Sequence, residues 1–561
     1  MGQLDGRHVL IQLDYNPAQD LYVLRAPRSR ADELMTEYGL ELSLIASDRD
    51  EAVLFTPEPY AAVSFLQHGT PEVQERLRYI NDRIAASWAP SCDRHIDVPG
   101  DRELWAFQRA SVDYALSVPH ALVADQPGLG KTPIAIAVAN EMRAQRILVV
   151  CPASIRFQWC RRIAEWSTML SSYPLDEALL SPHTGAARIQ AVTTSQRGLH
   201  DKAAWTVISW DLVRSPGIWR ALVKGEYDLL ILDEAHYAKT ISAARTRAVF
   251  GGGRNPVADP LVARSLRTLA LTGTPLPNRP REAYVLAYHL CPDAIDYLSE
   301  RAFNERFNPK NMMKTASNKV WTDERVGRAA ELQNRLRGNF MVRHLKRDVM
   351  TQLKMPVYDL IRVEETRAVK AALAAEKLLD IDPEHLEGAD AETLGHIAEA
   401  RRLMGVAMAP QVADYVAMLI EGGEDKLVVF AWHVEVLDII CAALGKYGIV
   451  RVDGRDGAVR KDAKVRSFIE RPELRVIAGN ILSLGTGTDG LQDVCSHALL
   501  AEADWTMGNN EQAFDRLDRG GQRNQVLGEI FVAPGSLSEK VLAAALRKGA
   551  ITHKALDRRV A

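Results

Sequence analysis

Two series of short apolar runs dominate the hydrophobic pattern. The first comprises ALVAD (121–125), RILVVCP (146–152), WTVISW (205–210), DLLILDEAH (228–236) and TLALTGTP (268–275). The second comprises KLVVFAW (426–432), GIVRVDG (448–454), LRVIAGN (474–480), HALLAEADW (497–505) and GEIFVAP (528–534). Runs of this length, rich in β-branched residues and closed by polar or glycine signals, read as buried strands. Helical stretches separate most of them, and that alternation predicts a parallel α/β sheet in each half of the chain.

The N-terminal pattern differs. Short strands are expected at 8–14, 21–26, 40–46 and 52–56, with helical composition at 29–38, 59–67 and 71–87. This reads as a small α+β unit ending near Pro99-Gly100. Between the two α/β halves, 281–425 is mostly helical and charged, with strong helix composition at Ala371–Leu379 and Ala389–Leu403. The expected organisation is an accessory domain at 1–98, a first lobe at 99–290, helical insertions and a linker at 291–425, and a second lobe at 426–561.

Composition adds exclusions more than assignments. A net charge of -3 gives no global basic field, so any polyanion site must be a local stripe. Six cysteines include no CxxC pair, which argues against a zinc knuckle and a disulfide framework and favours buried thiols. The N-terminus lacks a charged-then-apolar leader pattern, and no apolar run is expected to approach the ~20 residues that span a bilayer. A soluble, intracellular protein without membrane partners is expected.

Chemistry concentrates in three segments. ADQPGLGKT (124–132) is a glycine-rich turn between a strand and a helix; its backbone N–H groups can cradle phosphate. Gly128 and Gly130 permit close approach, Lys131 supplies a point charge, and the Thr132 hydroxyl can ligate Mg²⁺. Asp125 stands where the generic motif has its first glycine. Asp233 and Glu234 end a buried strand, where one carboxylate suits Mg²⁺ and the other can orient or deprotonate water. QAFDRLDRGGQ (512–522) places Arg516 and Arg519 three apart, on one helical face, between Gln512 and Gln522. As arginine fingers they stabilise transition-state charge, a role worth about 10³–10⁵ in rate. They lie in the second lobe, so hydrolysis requires the lobes to meet.

Over roughly 100–545 the chain resembles the Swi/Snf-type DNA translocases of helicase superfamily 2. LWAFQRASVDYAL (104–116) is similar to the family's adenine-reading motif, which implies Gln108 as the adenine contact. ADQPGLGKT resembles the family's DxGLGKT, in which aspartate at position 125 is usual. LVVCPASIRFQWCRRIAEW (148–166), VISWDLV (207–213), ILDEAHYAKT with Lys239, LTGTPLPNRP (271–280), FMVRHLKRDVMTQLKMP (340–356), VFAWHVEVLD (429–438), VDGRDG (452–457) and GTGTDGLQ (485–492) follow in family order. FAWHVEVLD and the segment before it most resemble the annealing-helicase, fork-remodelling branch. Three departures stand out. Asp518 replaces the histidine of DRxHRxGQ and Gly520 its apolar residue; Thr506-Met507 replace Asn-Pro; and 251–260 is an insertion.

The resemblance implies two RecA-like parallel-sheet lobes that bind ATP and Mg²⁺ between them. Lys131, Asp233, Glu234, Arg516 and Arg519 become catalytic; Gln108, Gly128, Gly130, Thr132 and Gln512 contact nucleotide; Thr132 and Asp233 hold Mg²⁺. Pro152, Ser154, Ser209, His433, Gly454 and Gly490 are the implied DNA contacts, tracking backbone phosphates without reading sequence. The expected activity is ATP-driven translocation on duplex or branched DNA, with branch migration or strand annealing as outcomes. Single-stranded-DNA-binding or replication proteins are expected partners, and a nucleoid-associated cytoplasmic location follows in a prokaryotic or viral setting. A DNA-tracking protein remodeller, an RNA helicase and a non-hydrolysing clamp are the alternatives.

Overall fold

The computed structural model describes residues 11–43, 49–168, 204–251, 260–276, 279–314, 320–324, 327–377, 391–485, 489–504, 507–543, 546 and 556. The first unit is an antiparallel sheet of β1 (Gln12–Asn16), β2 (Leu21–Pro27), β3 (Glu41–Leu42) and β4 (Glu51–Thr56), in the order β1-β2-β4-β3. Helices Ala31–Tyr38 and Pro71–Ala86 close over it, and the core includes Leu13, Leu24, Leu34, Leu54, Val73 and Leu77.

The first lobe contains β5 (Ala121–Val123), β6 (Arg146–Cys151), β7 (Ala204–Ser209), β8 (Tyr227–Asp233) and β9 (Ser265–Leu271). After the hairpin β10 (Lys310–Lys314) and β11 (Val320–Glu324), the chain returns to this sheet as β12 (Met341–Val342). The order is β12-β5-β9-β8-β6-β7, parallel throughout. Both faces are apolar because successive residues serve opposite layers: Leu230 and Leu232 of β8 enter one core, Leu229 and Ile231 the other.

The second lobe repeats the plan with β13 (Val357–Arg362), β14 (Leu427–Ala431), β15 (Ile449–Val452), β16 (Val476–Asn480), β17 (His497–Leu500) and β18 (Leu527–Val532). Its order is β13-β18-β17-β14-β16-β15, again parallel. The 291–425 segment is therefore more than helical insertion and linker. It lends β12 to one sheet and β13 to the other, and the chain crosses between lobes at 343–356.

Helix Ala391–Glu421 corrects another expectation. Its Gly395–Glu421 portion reaches a mean hydropathy of 1.5 over an 18-residue window and is long and apolar enough to cross a membrane. Met404, Met408, Val412 and Val416 recur every fourth residue along it, and this stripe is buried in the second lobe's core.

The accessory domain is bolted to the first lobe. Glu58 pairs with Arg306 (2.6 Å) and with buried Arg335, whose Nε also donates to Glu331, 2.7 Å away. Asn334 Nδ2 donates to Tyr60 O (2.8 Å) and Ser64 Oγ (2.9 Å). Glu331, Asn334 and Arg335 sit on helix Ala329–Asn339, which runs directly towards β12.

Candidate functional site

Parallel strand order brings the ends of β5, β8 and β9 to one edge of the first sheet, where open α/β sheets form their crevices. The glycine-rich turn leaves β5 and enters helix Lys131–Glu141. Gly128 and Gly130 adopt φ +86° and +76°, the left-handed region that glycine tolerates. A Cβ on Gly130 would overlap Gln108 Nε2. Gln108 itself accepts from Trp105 N (2.9 Å) and donates to Leu129 O (3.0 Å), tying the turn to the preceding helix. Asp125 is fully buried and accepts from Ser111 Oγ (2.9 Å) and His344 N (2.8 Å), with His344 Nδ1 at 2.9 Å from its carboxylate. His344 and its neighbours hold this carboxyl below the usual range despite burial.

Lys131 Nζ donates to Asp125 O, 2.8 Å away. Burial lowers its pKa, opposed by the charges of Glu234, Asp125 and Asp233. Thr132 is half-buried in the first turn of the same helix.

Two tryptophans fix Asp233. Trp159 Nε1 donates to its Oδ2 (2.7 Å) and Trp210 Nε1 to its main-chain O (2.8 Å). Burial, then the charge of Glu234, raises its pKa. Glu234 adopts φ +50°, ψ +52°. Burial raises its carboxyl pKa, but His236, Lys131 and Arg516 outweigh that and hold it low. Among the described residues its buried Oε2 makes no hydrogen bond of good geometry, and His236 Nδ1 lies 3.3 Å away. A buried acceptor of this kind is ready for a water or a cation.

The second lobe closes the site. Arg516 is partly buried; burial and then Arg519's charge lower its pKa to about 10, while Glu234 pulls the other way. Arg519 Cβ lies 3.0 Å from where a Gly128 Cβ would stand, and its Nη1 donates to Asp489, 3.0 Å away. Gln512 is buried on helix Met507–Phe514. Gly520 packs on Trp105, and Gly508 approaches Thr274 of the first lobe. Lys131, Asp233, Glu234, Arg516 and Arg519 thus gather around one cleft.

The residues expected to contact DNA differ in their surroundings. Ser209 is 2% exposed and its hydroxyl accepts from Leu212 N (3.3 Å), capping helix Trp210–Val213. His433 Nδ1 lies 2.6 Å from Glu502 Oε1, and Glu502 also accepts from the amides of Trp432 and His433. Pro152 is buried at the start of turn Ala153–Ile155, which contains Ser154. Gly454 is exposed, and Gly490 adopts φ +90°. Residues 44–46, 252–259, 277–278, 486–488 and Trp505-Thr506, used in the motif reading, lie outside the described residues.

Sequence reasoning missed several participants. Trp159 fills the core and also holds Asp233. Arg161 and Arg162 bridge the lobes: Arg161 grips Asp462 at 2.9 and 2.8 Å, and Arg162 pairs with Asp489. Lys346 is buried between Asp515 and Asp518. Lone basic pairs carry no partner information in sequence; the only signal was the replacement of histidine by Asp518.

Residues 82–398 match the sequence model of the SNF2-related domain. The chain is 28% identical over 500 residues to the "DNA annealing helicase and endonuclease ZRANB3" of Bos taurus, covering 87% of this chain and 42% of that protein. It is 28% identical over 455 residues to the "SWI/SNF-related matrix-associated actin-dependent regulator of chromatin subfamily A-like protein 1" of Xenopus laevis, covering 79% and 43%. A solved structure, the "Sulfolobus solfataricus SWI2/SNF2 ATPase core in complex with dsDNA", is similar with TM-score 0.35 and 17% identity, over 82% of this chain and 98% of that one. The chain spans less than half the length of these curated relatives.

Proposed function

Since the chain belongs to the SNF2-related family, we propose that it is an ATP-driven translocase on double-stranded DNA that remodels forks or branched junctions. The observation that carries this is the meeting of Arg516 and Arg519 of the second lobe with Gly128 and Glu234 of the first. In this reading the amides of the 126–130 turn and Lys131 hold the triphosphate, and Gln108 and Gln512 flank the nucleotide. Thr132 and Asp233 would hold Mg²⁺, which when bound neutralises phosphate charge. The buried carboxylate of Asp233 and the buried Oε2 of Glu234 suit a cation and a water. Glu234 orients the attacking water and takes its proton. Arg516 and Arg519 stabilise the charge that develops on the transferred phosphoryl group.

Because the arginines ride on the second lobe, each cycle of nucleotide binding and release changes how tightly the lobes meet. Duplex held across both lobes then advances. Gly454, Gly490 and the turn at Pro152–Ser154 remain the proposed phosphate-facing positions. The relatives' printed names support the annealing and fork-remodelling branch. Proteins of replication or of single-stranded DNA are the proposed partners.

A substrate panel tests the reading. ATP hydrolysis is measured with linear duplex, forks, four-way junctions, single strands and RNA. Stimulation by duplex and branched DNA above single strands and RNA is expected. Preferential stimulation by RNA contradicts the proposal.

A further inference from the structure

Lys346 lies on the crossing between the lobes, in neither sheet. Its side chain is 8% exposed, and its ammonium donates to the Asp515 carboxylate, to Asp518 O and to Asp518 Oδ2, the last at 2.8 Å. These acceptors sit in the residues immediately ahead of Arg516 and Arg519. At its other end, the Lys346 amide donates to Gln126 Oε1 (2.8 Å), within the glycine-rich turn. Its Cε lies 3.2 Å from the place a Gly128 Cβ would occupy, beside Asp518 O and Arg519 Cβ. One residue therefore touches the phosphate turn through its backbone and the arginine segment through its charge.

A cation buried between two carboxylates is costly to desolvate and is a poor way to gain stability alone. It does fix geometry, because three acceptors define where the ammonium stands. Asp518 supplies one of those carboxylates where the resembling motif carries histidine, so the arrangement is written into this chain's own departure from that motif.

We infer that Lys346 is a positioning residue that clamps the Asp515–Asp518 turn so that Arg516 and Arg519 face the glycine-rich turn. The inference rests on the ATPase reading above. It acts through the arginines and touches no reacting atom. A displacement of about 1 Å in such a group costs on the order of 100-fold in rate.

The test combines kinetics with hydrogen exchange on the full chain. ATP hydrolysis with duplex DNA is measured for wild type, Lys346→Met, Arg519→Ala and the double variant. Lys346→Met is expected to lower kcat by about 10- to 100-fold, with KM for ATP changed less than about threefold. Added to Arg519→Ala it should cost less than it does in the wild type, because part of its effect runs through Arg519. Without nucleotide, amides at 515–519 should exchange faster in Lys346→Met while those of β8 do not change. Should Lys346→Met not fold, Asp518→Asn keeps the shape and removes one charge, and a smaller change in the same direction is expected. A kcat within about twofold of wild type, or losses that multiply in the double variant, overturn the inference. A wild type that hydrolyses no ATP refutes the proposed function instead; exchange then decides the clamp alone, faster at 515–519 supporting it and unchanged overturning it.

Discussion

Glu234 occupies a left-handed backbone position that costs an L-residue about 1–2 kcal/mol, and among the described residues its buried Oε2 makes no hydrogen bond of good geometry. Such strain is tolerated where chemistry needs it. Glu234→Gln should keep ATP and duplex binding and lose turnover, with no fall in melting temperature; a binding titration beside a steady-state assay checks both. Lys461 makes a second residue-scale case. It is 5% exposed on helix Ala458–Glu470, and burial with Arg516's charge lowers its pKa to about 7. The unfolded lysine keeps its proton up to about 10.4, so the unfolded state binds more protons across pH 7 to about 10.4. Stability from this group therefore rises with pH through that window. Lys461→Met should stabilise the protein at pH 7 and flatten the rise in denaturant midpoint towards pH 10. An unchanged slope would remove the assignment. Neither Lys461 nor Trp159 was readable from sequence, because each acts through a tertiary neighbour.

Strands were legible as elements because both cover layers demand apolar residues: the DLLIL run became β8, its successive residues entering different cores. Asp233 and Glu234 could be placed at its end for the same reason. The edge strands β12 and β13 escaped notice. Two residues of pairing leave little pattern, and most of β13 is exposed, so no buried run marks it. Helix Ala391–Glu421 continues through Pro410, where sequence rules would end it. Burial of Met404, Met408, Val412 and Val416 offsets the lost hydrogen bond. Met408→Ala should therefore cost about 2–5 kcal/mol in chemical denaturation, as for other buried methionines. The glycine-rich turn behaves differently. Gly130→Ala would meet Gln108 at a left-handed backbone, so ATP affinity should fall at least tenfold in a titration while the fold survives.

At the scale of the molecule, the accessory domain and the first lobe share a buried charge cluster, and the two lobes share an ionic seam. Arg335→Ala leaves Glu331 and Glu58 without a principal partner, and breaking such a buried set typically costs about 3–5 kcal/mol. Calorimetry should show an earlier transition, with the accessory domain separating from helix Ala329–Asn339. This docking was not legible in the sequence, since Glu58 and Arg335 lie far apart in the chain. The seam of Arg161–Asp462, Arg162–Asp489 and Lys346–Asp515 likewise joins residues that carry no individual motif. It places the arginine pair by the glycine-rich turn, and the proposed coupling of hydrolysis to DNA movement depends on that placement. The most direct measurement is steady-state ATP hydrolysis by Arg516→Ala, with and without linear duplex DNA, beside wild type. Duplex should stimulate the wild type, and the variant should bind ATP yet turn over about 10³-fold more slowly, whether or not DNA is present. Turnover by Arg516→Ala at the wild-type, DNA-stimulated rate would contradict the account.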